Sequence, residues 1–223
     1  MNSCKTTAIA VLTSVLFLSA SVADDKTVVL NQQAQAAYQQ GDYAKSAELT
    51  EQVLAVMREK NGEKNPDTII MINNLAQLYQ LQGRSELAQP LFEKTLPLNQ
   101  ELFGEKSPDT LSNMNDLAEL YSAQGEFDKA EPLLIKTLKI RTEILGEKHQ
   151  NTLTSMNNLA VLYKNQRRYD TAQPLFEQAL QLNKEILGEN HPVTLISMNN
   201  LAVYIKNRKN INWLRICMNN RYS

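Results

Sequence analysis

Cysteine, histidine and tryptophan are scarce in this chain: two, two and one among 223 residues. Two cysteines allow at most one internal disulfide, and Cys4 lies in a segment read below as removed, leaving Cys217 alone. Packing therefore has to hold the fold. The two histidines, His149 and His191, have no Asp or Cys partner at a ligand spacing, so no metal is expected. Each precedes a helix, and loop capping is their expected role. Excess charge of one sign is also missing, with 23 Lys+Arg against 24 Asp+Glu. Such a balance supplies no basic face to displace counterions from phosphates, which sets nucleic acid aside as a partner. The chain has no Gly-rich phosphate loop, no HExxH and no GxSxG. With no acid, base and nucleophile set either, no catalytic residue, cofactor or enzyme activity is expected.

A long hydrophobic run is absent too. The one apolar stretch, Ala8 to Leu18, is shorter than the roughly 20 residues of a spanning helix. It follows Lys5 and is followed by Ser21-Val22-Ala23 before Asp24-Asp25, the three parts of a secretory signal peptide cleaved after Ala23. Residues 1–23 are therefore read as removed. The mature chain is expected to be exported, periplasmic or secreted, and off the membrane. Cys4 precedes the apolar stretch, whereas a lipoprotein cysteine would follow it.

What the chain does have is repetition. Asn73-Asn74-Leu75-Ala76, Asn115-Asp116-Leu117-Ala118, Asn157-Asn158-Leu159-Ala160 and Asn199-Asn200-Leu201-Ala202 recur in phase, as do Gly62, Gly104, Gly146 and Gly188. A fixed period of about 20–50 residues is the mark of a solenoid, in which each unit buries its face against its neighbours. Each row reads as two helices. In the first, Leu111, Met114, Leu117, Ala118 and Tyr121 fall at three- and four-residue steps on one face, with Gly125 at a left-handed C-cap. The second opens near Phe127-Asp128, takes Pro132 in its first turn, and carries Ala130, Leu133, Leu134, Leu138 and Ile144-Leu145 up to Gly146. In the loop from Gly104 to Thr110, Ser107 is placed as N-cap, Pro108 at the first helical position and Asp109 against the positive helix end. Ala76, Ala118 and Ala160 are expected to meet Ala88, Ala130 and Ala172, with Tyr79, Tyr121, Tyr163, Phe92 and Phe176 as core filling.

The order Leu-Ala, Tyr, Gly, aromatic, Ala resembles the tetratricopeptide repeat. The loop GEKSPDT and the long period resemble more narrowly the repeats of kinesin light chains and their bacterial relatives. The resemblance spans residues 27 to about 203. It implies an all-α fold, a right-handed superhelical solenoid of antiparallel helix pairs, with repeats at about 27–60, 66–103, 108–145 and 150–187 and one further first helix at 192–203. Row one is the weakest, with Ala37 where later rows have Tyr, and Pro97 inside the second helix of row two should kink it.

The resemblance also implies a concave groove lined by the first helices. Its candidate residues are Asn73, Asn74, Gln77 and Gln80; Asn115, Asp116 and Glu119; Asn157, Asn158, Val161 and Lys164; and Asn199 and Asn200. An Asn amide both donates and accepts, so a ladder of them suits the backbone of an extended peptide. The same amides could instead bond between adjacent repeats and fix their stacking. The places where some members grip a terminal carboxylate hold Ile70, Ser112, Thr154 and Ile196, so that grip is not reproduced. The expected function is an exported protein- or peptide-binding scaffold. Its alternatives are a self-associating assembly factor of the cell envelope and a truncated gene product.

The last row breaks. After Val203 the chain reads YIKNRKNINWLRICMNNRYS, with no apolar period, where a second helix should open. Reading codons one base out of register, from the third base of each residue and the first two of the next, forces much of an alternative text. It yields Tyr or His at 205 and 211, Leu at 213, Ala or Val at 214 and Leu or Met at 217, then Tyr or His at 218, Glu at 219 and Gln or a stop at 220. That is the missing helix in phase. One nucleotide is therefore read as lost near the codon for Val203, so Trp213, Cys217 and the rest of 204–223 carry no functional expectation. The same loss would leave the last first-type helix with an uncovered apolar face.

Overall fold

Glycine and proline set the element boundaries. In the computed structural model, which describes the backbone of residues 25–219 and the side chains of 26–206, the described residues form nine helices and no strand. They are α1 Asp25–Gln39, α2 Tyr43–Asn61, α3 Pro66–Leu81, α4 Ser85–Phe103, α5 Pro108–Ala123, α6 Phe127–Leu145, α7 Gln150–Asn165, α8 Tyr169–Leu187 and α9 Pro192–Asn219. The signal segment and residues 220–223 lie outside this description, as do the side chains of Trp213 and Cys217. Connections alternate between three and four residues, and links this short return each helix antiparallel against the one before.

Side chains start the helices. Asn65 Oδ1 accepts from the Asp67 amide at 2.9 Å, and Ser107 Oγ from the Asp109 amide at 3.3 Å. His149 and His191 do the same through Nδ1, accepting from Asn151 at 3.1 Å and Val193 at 3.2 Å. Both histidines are thus helix caps, each satisfying an amide that has no partner inside its helix.

The turn from α5 into α6 needs a left-handed residue, and Gly125 supplies it at φ 80°. The turn from α7 into α8 has the same hydrogen bonds, Arg167 to the Lys164 carbonyl and Arg168 to the Tyr163 carbonyl, yet is built on Arg167 at φ 61°. Only a glycine adopts that conformation without steric cost.

Prolines lie deeper than the first turn. Pro90, Pro132 and Pro174 are each the sixth residue of α4, α6 and α8, where a missing N–H orphans the carbonyl four residues back. Glu86, Asp128 and Asp170, which own those carbonyls, are exposed, so water can serve them. Pro97 is tolerated on the same terms: α4 continues through it to Phe103, with Pro97 and Glu93 both at the surface.

Packing divides the chain into two compact units, one up to Leu120 and one from Tyr121. In the first, α1 packs on α2, α2 on α3 and α3 on α4, around Ala34, Val53, Leu54, Ile69, Ile72, Ala76, Ala88 and Phe92. The second packs α6 on α7, α7 on α8 and α8 on α9, around Leu134, Leu153, Ala160, Leu162, Ala172 and Phe176. The alanines of both helices in a pair, Ala76 with Ala88 and Ala160 with Ala172, are fully buried, and side chains this small let backbones approach.

α9 departs from the expected pattern. The sequence places its end near Val203, but the helix runs on to Asn219. Tyr204 stands where Leu78, Leu120 and Leu162 stand in earlier rows, and like them it is buried. Its ring packs against Tyr169 and Phe176 with centroids 5.9 and 5.8 Å apart, and its hydroxyl donates to the Tyr169 carbonyl at 3.0 Å.

Candidate peptide-binding surface

In the first unit α3 and the Pro108–Leu120 part of α5 run side by side, and their facing stripes share one spacing. Ile70, Asn73, Asn74 and Gln77 on α3 oppose Asp109, Ser112, Asn113 and Asp116 on α5, with Phe92 of α4 at the base. The space between them is a shallow groove open to solvent. Its walls are mostly amide and carboxylate side chains.

Two of the wall groups bond across the groove: Gln77 Nε2 donates to Asp116 Oδ2 at 2.7 Å. Deeper in, Asn73 Oδ1 accepts from Asn113 Nδ2 at 3.0 Å and from the Thr95 hydroxyl, and Asn113 Nδ2 also reaches Thr95 Oγ1 at 2.7 Å. Asn73 therefore spends its carbonyl on joining α3, α4 and α5. Asn74 is buried, as is Asn115, whose amide donates to Glu119 Oε1 at 3.1 Å. Gln80 stays half-exposed.

In the second unit Asn157 of α7 repeats the role of Asn73, donating to Ser197 Oγ of α9 at 3.4 Å. Ser197 also receives the Asn183 amide at 3.0 Å. Asn158, Val161 and Lys164 continue along α7 half-exposed, while Asn199 is exposed and Asn200 half-exposed on α9. Burial holds the Lys164 ammonium below the ordinary lysine range, because a charge is less well solvated there.

The tyrosines of the first-type helices carry a second electrostatic feature. The Tyr79 hydroxyl donates to Glu51, and burial followed by that bond pushes its pKa up to about 12. Tyr163 is raised by burial and by Glu131. Burial alone would raise Glu131, but the Arg168 guanidinium, 2.8 Å away, together with hydrogen bonds from Gln166 and Tyr163, outweighs it and holds the carboxyl low. Arg84 and Arg168 lie over the rings of Tyr79 and Tyr163 at 5.2 and 4.3 Å.

The structure thus sorts the sequence candidates. Asn73 and Asn157 link helices of successive rows, Gln77 and Asp116 bridge the groove, and Gln80, Asn158, Val161, Lys164, Asn199 and Asn200 remain at least partly open. Sequence reasoning did not single out Thr95, Asn113 and Ser197, the partners that take up those amides. Their one sequence signal is a polar residue inside an otherwise apolar stripe. Among the described residues no group of three or more His, Cys, Asp or Glu could hold a metal ion, and no helix is long and apolar enough to cross a membrane.

Tetratricopeptide repeat models match residues 25–101, 67–143 and 109–172, and a second such model matches 152–193. No curated protein matches significantly. Among solved structures, the nearly identical TPR-like repeats of a protein assigned as a kinesin light chain from Podosopora anserina share 24% identity. That match covers 87% of this chain and 92% of the other, with a TM-score of 0.70. BtubC (BKLC) from P. vanneervenii shares 25% identity over 86% of this chain and 76% of its own, with a TM-score of 0.68. The chain belongs to the tetratricopeptide repeat family, and its fold is an all-α repeat solenoid.

Proposed function

We propose that this protein is an exported, non-catalytic scaffold that binds an extended segment of another protein. The observation that carries the reading is the open groove between α3 and α5, lined by amides, a hydroxyl and carboxylates with Ile70 at its side. A peptide main chain presents alternating N–H and C=O groups, which such walls can pair without selecting side chains. Membership of a family of protein-binding repeats supports the same reading. Export rests on the leader pattern of residues 1–23.

Selection of random phage-displayed peptides on the purified mature chain tests the binding. Enriched peptides should bind the wild type and lose binding to Ser112→Trp, which fills the groove, while that variant keeps its thermal midpoint. No enrichment, or equal binding to Ser112→Trp, would sink the proposal. Amino-terminal sequencing of protein recovered from the periplasm or medium tests export, and a start other than Asp24 contradicts the assigned cleavage.

A further inference from the structure

α9 has two apolar faces and a neighbour for one of them. Tyr204, Ser197 and Thr194 are buried against α8. On the other face Leu195 is 50% exposed and Ile205 is 42% exposed, and Ala202 between them is exposed as well. The residues at the same places in α7 are closed off: Leu153 at 0%, Ala160 buried and Tyr163 at 7%. Ile69, Ala76 and Tyr79 of α3 are buried likewise. The next helix packs on each of them, α8 on α7 and α4 on α3, and carries a buried alanine and a buried phenylalanine, Ala172 with Phe176 and Ala88 with Phe92. The uncovered face of α9 therefore continues an interface that the molecule builds in both units, and its complement has known chemistry.

We propose that this face is the seat of a helix that the same gene encodes one base out of register after the codon for Val203. The genetic code restricts much of its text from the present residues. Tyr or His at 211 corresponds to Tyr169, the first residue of α8. Ala or Val at 214 corresponds to Ala172 and Ala88, and falls where it would meet Ala202. Tyr or His at 218 corresponds to Phe176 and Phe92, Glu at 219 to Glu177, and Gln or a stop at 220 to Gln178. In the same register position 205 becomes Tyr or His, the residue class of Tyr79 and Tyr163. A repeat array is least stable where a terminal face lacks its cap, and the shifted text supplies a cap for the exposed face of α9.

The experiment is to insert one base after codon 203 in the gene and compare the product with the chain as it stands. The thermal midpoint should rise by about 5 °C, and binding of an apolar-surface dye should fall. Leu195→Ser should be nearly silent in the present chain and should lower the midpoint of the base-inserted chain as strongly as Leu153→Ser does. No gain in midpoint, or a silent Leu195→Ser in both chains, would overturn the proposal. So would light scattering showing that the present chain is a dimer dissociated by Leu195→Ser, because a second copy would then be the occupant. If the base-inserted chain is insoluble, the shifted-frame peptide of residues 205–219 is added to the present chain. Slowed amide exchange around Leu195 and Ile205 supports the seat, and unchanged exchange overturns it.

Discussion

Gln77 Nε2 on α3 donates to Asp116 Oδ2 on α5 at 2.7 Å, joining two rows of the repeat across the groove they form. A hydrogen bond to a charged acceptor contributes about 1.5–3 kcal/mol in favourable settings, and less when water competes. Gln77→Ala and Asp116→Ala should each lower stability by about 1 kcal/mol, and the double variant should lose less than their sum. A urea-unfolding double-mutant cycle reads the coupling, and strict additivity would mean that the bond does not persist in solution.

Arg167 holds a backbone conformation that Gly83 and Gly125 hold in earlier rows. A side chain in the left-handed region costs about 1–2 kcal/mol, part of which glycine gives back through the freedom of its unfolded chain. Arg167→Gly should therefore raise stability by about 0.5–1 kcal/mol, read as a higher urea midpoint. The reciprocal Gly125→Arg should lower it.

Asn99 is fully buried in α4, and neither amide atom has a hydrogen-bond partner. Its counterparts Arg141 and Asn183 reach Ser155 and Ser197, at 2.8 and 3.0 Å. The corresponding Asn113 instead gives its amide to Asn73 and Thr95. A buried polar group without a partner costs about 1–3 kcal/mol. Row one places the buried Met57 at this point. Asn99→Met should stabilise the chain by about 1 kcal/mol or more, visible as a rise in thermal midpoint.

The Tyr79 phenol ionises near pH 12 in the folded chain against 10.0 for a free side chain. Between those values the unfolded chain has released its proton and the folded chain has not, so the folded state binds more protons. Stability should be indifferent to this group below pH 10 and fall as pH rises from 10 to about 12. Tyr79→Phe should start less stable, having lost the bond to Glu51, and fall less steeply above pH 10. Urea midpoints at pH 9 and pH 11 for both chains separate the two effects.

The repeat was legible because everything that makes it is local. Three- and four-residue spacing from Leu111 to Tyr121 specifies a helical face, Ser107-Pro108-Asp109 a helix start, and Gly125 a left-handed stop. The histidine caps were readable for the same reason, because each acts on an amide two residues away. Whether a proline ends a helix is less legible, because its cost depends on what surrounds the orphaned carbonyl, and for Pro97 that carbonyl belongs to the exposed Glu93.

The surface was less legible. Asn73, Asn115, Asn157 and Asn199 are one letter at one place in the repeat, and no local pattern tells them apart. Asn73 and Asn157 bond to residues forty positions on, Asn115 turns to its own helix, and Asn199 has solvent before it.

The sequence by itself determined the helices, their order, their all-α class and the family, because periodicity and capping act within a turn or two of chain. The tertiary structure decided which polar side chains are consumed in stacking and which stay at the surface, because those bonds close only between rows. It also decided which face of α9 is covered: Tyr204 finds Phe176 on α8, while Leu195 and Ile205 stay exposed.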